Sequence, residues 1–142
     1  MKLTMTLLLQ IAGAMHLGLM CAGLLMPRVV GMRGHLAALP PFIRQLFWVY
    51  YGFIALCLVS FSIITIVFAD ALAAGGTLAR ALCAFFALFW VLRLIAGTFV
   101  FDMRPYLTSR SRRLGYHAIN VVFAYLPIVY ALAATQPQWL LR

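Results

Sequence analysis

Four long runs of apolar residues constrain this chain more than any other feature of its sequence. The runs are Thr4–Met26, Leu46–Phe68, Leu78–Phe101 and Leu114–Ala134. Each holds about 20 residues or slightly more, the length at which a helix rising 1.5 Å per residue crosses a hydrocarbon core of roughly 30 Å. We therefore predict an all-α integral membrane protein, in which a single domain over residues 1–142 forms a four-transmembrane-helix bundle.

The composition supports the same prediction. Of the 142 residues, 66% are hydrophobic and only 9% are charged, and the mean hydropathy is +1.06. A water-soluble domain of this size would have too few polar side chains to cover its core. The first apolar run also continues well past the length of a signal-peptide core, so we predict a retained helix over about 4–26.

Prolines mark both ends of the first connection. Pro27 is predicted to end the first helix, because its ring and missing N–H oppose continuation. Pro41 suits the first turn of a helix, so the second helix is predicted over about 41–68. Between them, apolar residues alternate with basic ones, which predicts a segment lying in the cytoplasmic membrane interface. The second connection, "ADALAAGG", is short, so the second and third helices should be antiparallel neighbours.

The basic residues are distributed unequally between the two sides of the predicted bundle, and the net charge is +9. Seven lie in the first and third connections and three on the opposite side: Arg28, Arg33, Arg44, Arg104, Arg110, Arg112 and Arg113 against Lys2, Arg80 and Arg142. The positive-inside rule then predicts a bacterial inner-membrane protein with loops 1 and 3 in the cytoplasm and both termini outside. It also indicates contact with anionic membrane lipids rather than nucleic acid.

Arg93 is the one charge inside the third predicted helix, over about 78–101. Its Cα lies only about 5 Å from the membrane midplane, where an arginine costs roughly 2.5 to 3.5 kcal/mol on insertion scales. Phe89 and Trp90 share its helical face and are predicted to make cation–π contacts. Ala96 and Gly97 leave room beside the guanidinium for a neighbouring helix or a ligand.

Other polar side chains fall at comparable depths, including two on one face of the fourth predicted helix, over about 114–134. We predict that they form a polar, ligand-binding layer in the cytoplasmic half: Arg93, Trp90, Tyr51, Gln45, His117, Asn120 and His16. The acids, Asp70 and Asp102, are predicted on opposite membrane faces, away from Arg93. Its acceptor is then a neutral group of the bundle, an anionic ligand or lipid, or an acid of a partner chain.

The sequence contains none of the usual patterns for metal or acid–base chemistry. Cys21, Cys57 and Cys83 lie inside predicted helices without a CxxC pair, and there is no HExxH motif or phosphate loop. His16 and His117 differ by about 10 Å in depth, which disfavours a shared haem. We predict no metal site, and the residues indicate no particular cofactor.

Small residues along the first helix predict where another helix approaches closely. Ala14, Gly18 and Ala22 recur every four residues, a spacing typical of packed transmembrane helices.

Size, four helices and basicity resemble the membrane-associated eicosanoid and glutathione enzymes. Their Arg/Asn/Glu pattern on the second helix is absent here, since that helix has no Glu. The chain also lacks the membrane-embedded Glu of the small multidrug transporters. The stretches "RQLFWVYYGF" and "FFALFWVLRL" are similar to small uncharacterised bacterial inner-membrane proteins. These resemblances concern architecture and imply no activity.

Two classes of function remain. The first is a non-enzymatic module: an accessory subunit of a larger membrane complex or a homo-oligomer, or a binder of a lipophilic ligand such as a quinone, lipid or pigment. The second is a small membrane enzyme for a lipophilic substrate, in which Arg93 and Tyr51 would orient an anionic cofactor. We favour the first, because no nucleophile–base pair is recognisable.

Overall fold

A computed structural model describes residues 2–135, and within that range the chain is helical with no β-strand. Four helices are long and apolar enough to cross a membrane. They are α1 (Lys2–Val29), α3 (Pro41–Val67), α5 (Thr77–Phe99) and α6 (Arg110–Thr135). Two short helices, α2 (Met32–Ala37) and α4 (Ala69–Ala74), and a 3₁₀ turn at Arg104–Tyr106 lie in the connections. The prediction of four long apolar helices is confirmed.

The first helix does not end at Pro27, as predicted, but runs through it to Val29. Pro27 has no N–H to donate to the carbonyl of Gly23, four residues earlier. The hydroxyl of Tyr51 on α3 donates a hydrogen bond to that carbonyl instead. A side chain of the neighbouring helix thus replaces the backbone bond that the proline removes.

The chain turns between α1 and α2 at Gly31, whose φ of 63° lies in the left-handed region that glycine tolerates. Leu36 of α2 is buried. Pro41 occupies the first turn of α3, as predicted from its fixed φ.

The second connection contains a helix, α4, where a plain loop was expected. Ala69, Leu72 and Ala73 are buried by its packing, and Gly75 ends it with a φ of 75°. Burial of one apolar face explains why so short a segment is helical, since six residues would not hold a helix alone.

The long helices pack as two pairs, α1 with α3 and α5 with α6, and α1 also contacts α6. The helices on either side of α4, α3 and α5, meet mainly through aromatic rings. Phe61 packs against Phe86 and Phe89, with ring centroids 4.6 and 5.1 Å apart. The short connection therefore joins two helices that are separated by aromatic side chains, so α3 and α5 do not form a closely packed hairpin.

The predicted small-residue ridge is not where α1 meets another helix. Ala14 and Gly18 are exposed, and a Cβ built on Gly18 would have no neighbour within 4 Å. The close approach is one residue earlier, at Gly13, where a Cβ would overlap Cγ1 of Ile66 on α3. Ser62 of α3 donates a hydrogen bond of 2.8 Å to the carbonyl of Gly13.

Burial divides the bundle into two halves. The closed half comprises α4, the N-terminal parts of α1 and α5, and the C-terminal parts of α3 and α6; it contains most of the core. The open half comprises the opposite ends of these helices with α2 and the 3₁₀ turn. Few of its side chains are buried, Leu36 and Phe123 among them.

Candidate functional site

Arg93 lies on α5 in the open half and extends toward the C-terminal end of its helix. A Cβ on Gly97 would lie 3.5 Å from Nη1 of Arg93. The guanidinium carbon is 5.4 Å from the ring centroid of Phe101, just after α5, and 4.9 Å from that of Phe123 on α6. Helical Cβ atoms tilt toward the N-terminus, so Arg93 reaches against that tilt toward the basic end of the bundle.

The cation–π partners predicted from the sequence, Phe89 and Trp90, are therefore wrong. They lie on the N-terminal side of Arg93, whereas the side chain runs the other way. An arginine in apolar surroundings lowers its free energy by extending toward the nearer polar boundary. Gly97 has no side chain to block that path, and the rings of Phe101 and Phe123 line it.

The guanidinium has no hydrogen-bond acceptor in the described part of the chain. Its Nη1 is buried without a partner, and Nε and Nη2 make no hydrogen bond either. The acids are engaged elsewhere. Asp70 accepts a hydrogen bond of 2.9 Å from Thr6, and Asp102 lies 3.9 Å from Nε of Arg104. Arg93 is thus a cation among apolar groups with all its donors uncommitted.

Two of the predicted site residues, His16 and Trp90, are bonded to each other near the middle of the bundle. Nε1 of Trp90 donates to Nε2 of His16 at 3.0 Å, and both side chains are almost completely buried. Because Nε2 accepts, a neutral imidazole carries its proton on Nδ1.

Phe123 connects this pair with Arg93. Its ring stacks on Trp90 with centroids 5.6 Å apart and also lies 4.9 Å from the guanidinium carbon of Arg93. A chain of contacts therefore passes from His16 on α1 through α5 to α6. Phe123 is not among the residues predicted from the sequence, because only the polar groups of the fourth helix were candidates. The signal was the apolar spacing of Phe123, Leu126 and Tyr130, which places all three on one buried face.

The four remaining predicted residues do not join Arg93. Tyr51 is committed to the carbonyl of Gly23, and Gln45 is exposed on the first turns of α3. His117 is exposed and contacts the ring of its neighbour Tyr116, while Asn120 is half-buried and makes no hydrogen bond within the described residues. No hydrogen bond or ring contact there links Arg93 with any of the four. The continuous polar layer is not formed, and a ligand-binding role for these residues stays a prediction.

The arrangement places a strong donor, with no acceptor in the described chain, among apolar side chains. A fixed cation lined by aromatic rings, with no nucleophile or base in contact, is suited to holding an anion or a carbonyl oxygen. Across residues 2–135, no three His, Cys, Asp or Glu side chains approach closely enough to hold a metal ion.

No protein-family model, no curated protein and no solved structure matches this chain. Its function is therefore proposed from its own residues.

Proposed function

We propose that the chain is an integral protein of a bacterial inner membrane, spanned by α1, α3, α5 and α6. Support comes from the lengths of these helices and from large apolar side chains that face outward on each of them. Leu24, Ile54, Leu92 and Val121 each expose more than half of their surface. Contact of such side chains with lipid costs no free energy, whereas their contact with water is unfavourable.

In this proposal the open half, with α2 and the two basic connections, faces the cytoplasm. The closed half and both termini face the outside. The excess of arginine in the connections at the open end supports this orientation. The segment containing α2 then lies at the cytoplasmic interface, with Leu36 turned inward and Arg33 exposed.

We further propose that the protein is a non-enzymatic binder of a lipophilic molecule that carries an anionic group or carbonyl oxygens. A phospholipid, a quinone or an acidic pigment has that chemistry. The observation that carries this proposal is the absence of any acceptor for Arg93 in the described chain. Retaining an arginine inside an apolar helix costs roughly 2.5 to 3.5 kcal/mol, so an acceptor from outside the chain explains its presence.

An accessory subunit would satisfy Arg93 differently, through a carboxylate of a partner chain. The engagement of Asp70 with Thr6 and of Asp102 with Arg104 supports an external acid as the second candidate. The enzyme alternative has less support, because the groups in contact with Arg93 are Gly97, Phe101 and Phe123 and none of them is a nucleophile or base.

The test is native mass spectrometry of the protein extracted gently from its own membrane, with an absorption spectrum of the same sample. Wild type is compared with Arg93→Leu and with Arg110→Leu, which removes an exposed charge of the same half. We expect wild type and Arg110→Leu to carry one small-molecule adduct more than Arg93→Leu.

A protein chain in place of the small molecule, released by Arg93→Leu, would favour the accessory subunit. The same set of adducts on Arg93→Leu as on wild type would contradict both forms of the proposal. So would bare protein in all three samples.

A further inference from the structure

A recess lies at the end of the open half, between α2 and the first turns of α3. It is an open groove of about 280 Å³, lined by Arg33, Leu36, Ala37, Arg44 and Trp48. At roughly 30 Å³ per water molecule, it has room for a phosphate group and its glycerol. None of these residues contacts Arg93, so the groove is separate from the site described above.

The polar lining of the groove consists of two guanidinium groups from adjacent helices. Neither side chain, Arg33 nor Arg44, makes a hydrogen bond or ion pair with the described residues, and the lining includes no acid. Two arginines with free donors that face one space favour a phosphate, since each guanidinium offers a planar fork to its oxygens.

The arginines at the start of α6, Arg112 and Arg113, differ from those of the groove in this respect. Nη1 of Arg112 donates to the hydroxyl of Thr108 at 3.2 Å, and Nε of Arg113 donates to the carbonyl of Leu107 at 3.2 Å. Each of these two arginines thus has one nitrogen engaged by residues that lie just before α6. Positive charge is therefore present at both places, but in the groove two arginines with no hydrogen bond to the described residues line one recess.

The apolar lining indicates what the phosphate is attached to. Leu36, Ala37 and Trp48 form the rest of the wall, and tryptophan favours the membrane–water boundary, where its ring lies beside headgroups. A free phosphate ion gains nothing from such a wall. A phosphate joined to glycerol and acyl chains covers it.

We propose that this groove binds the headgroup of an anionic phospholipid, with Arg33 and Arg44 on the phosphate and Trp48 against the glycerol and upper acyl chains. The site rests on the proposed membrane insertion, but not on the ligand of Arg93. Its charge and its position beside α2 would hold this segment at the cytoplasmic interface.

The test is native mass spectrometry of delipidated protein titrated with phosphatidylglycerol and, separately, with phosphatidylcholine. The groove variant is Arg33→Gln with Arg44→Gln. Its matched control is Arg112→Gln with Arg113→Gln, which removes the same charge from the same half. We expect wild type and control to prefer phosphatidylglycerol, and the groove variant to bind it about tenfold more weakly than the control does.

A lysine pair at positions 33 and 44, Arg33→Lys with Arg44→Lys, keeps the charge and should restore part of the binding if the groove variant remains folded by circular dichroism. Equal losses in both double variants would overturn the proposal in favour of a diffuse basic surface. Equal affinity of wild type for the two lipids would overturn it outright. Displacement of phosphatidylglycerol by inorganic phosphate at comparable concentration would overturn the lipid site in favour of a site for a free anion.

Failure of this site is distinguishable from failure of the proposed function. Arg93→Leu should retain the phosphatidylglycerol preference of the groove. Extraction of the protein from membranes by alkaline carbonate would instead contradict membrane insertion itself.

Discussion

The closed and open halves of the bundle use their polar residues in opposite ways. Six side-chain hydrogen bonds join different helices in the closed half and at the middle of the bundle. They are Thr6–Asp70, Tyr125–Leu8, Ser62–Gly13, Thr65–Tyr130, Arg80–Ala134 and Trp90–His16. Among the described residues of the open half, Tyr51 to Gly23 is the only such bond.

The comparison shows which polar groups stabilise the bundle and which are left for other molecules. In the closed half the helices are close enough for hydroxyls to reach neighbouring carbonyls, and an apolar environment makes such bonds costly to lose. In the open half the strongest donors, the guanidiniums of Arg33, Arg44 and Arg93, have no acceptor in the described chain. Interhelical hydrogen bonds are therefore concentrated at one end of the bundle, and guanidinium donors without an acceptor in the described chain at the other.

The largest loss of stability is expected from a substitution at the contact between α1 and α3. In Gly13→Leu the new side chain would overlap Ile66, whose backbone nitrogen lies 3.3 Å from a Cβ at position 13 and cannot move without α3. We expect the free energy of unfolding in detergent to fall by about 3 kcal/mol. The matched control is Gly18→Leu, five residues along the same helix, where no atom lies within 4 Å and the change should stay within about 0.5 kcal/mol.

Equal losses in these two variants would show that the position of closest approach on α1 is wrongly assigned.

Loss of the hydrogen bond between His16 and Trp90 should cause the next largest loss of stability. Trp90→Phe removes the donor and leaves Nε2 of His16 buried without a partner, which should cost about 1–2 kcal/mol. Combined with His16→Leu in a double-mutant cycle, it should reveal a coupling of about 1 kcal/mol. His117→Leu, at an exposed histidine of the open half, should be close to neutral.

A coupling of zero would mean that the two buried rings merely pack side by side.

A smaller effect is expected at the single interhelical bond of the open half. Tyr51→Phe leaves the carbonyl of Gly23 without a donor and should cost about 1 kcal/mol. Pro27→Ala supplies the missing backbone N–H, so Tyr51→Phe should cost almost nothing in that background. If Tyr51→Phe costs the same in both backgrounds, the hydroxyl of Tyr51 does not take the place of the N–H that Pro27 lacks.

The long helices could be predicted from the sequence, because the length and the hydropathy of an apolar run are read directly from the order of its residues. Pro41 could be placed for a similar reason, since its ring fixes φ wherever it occurs. The helix α4 could not, because six residues become helical here through burial of Leu72 and its neighbours.

Rotation about a helix axis is the second property that the sequence leaves open. The Ala14–Gly18 ridge and Gly13 lie on different sides of one helix, and only the presence of Ile66 decides which is used. The same limit applies to Arg93. Its position in an apolar run marked it as a candidate, but its contacts with Phe101 and Phe123 depend on where α6 packs and on the space at Gly97.

We propose that Arg93 serves an acceptor from outside the chain and adds no net stability to the bundle itself. The most direct test is the thermal unfolding of wild type and Arg93→Leu in detergent, each delipidated and then supplied with a lipid extract of the native membrane. We predict that delipidated Arg93→Leu is as stable as wild type or more stable. The extract should raise the unfolding midpoint of wild type more than that of the variant, because a ligand stabilises only the state that binds it and the variant retains only the groove of Arg33 and Arg44. Arg93→Leu that unfolds before extract is added, or an equal rise in both proteins, would contradict the claim.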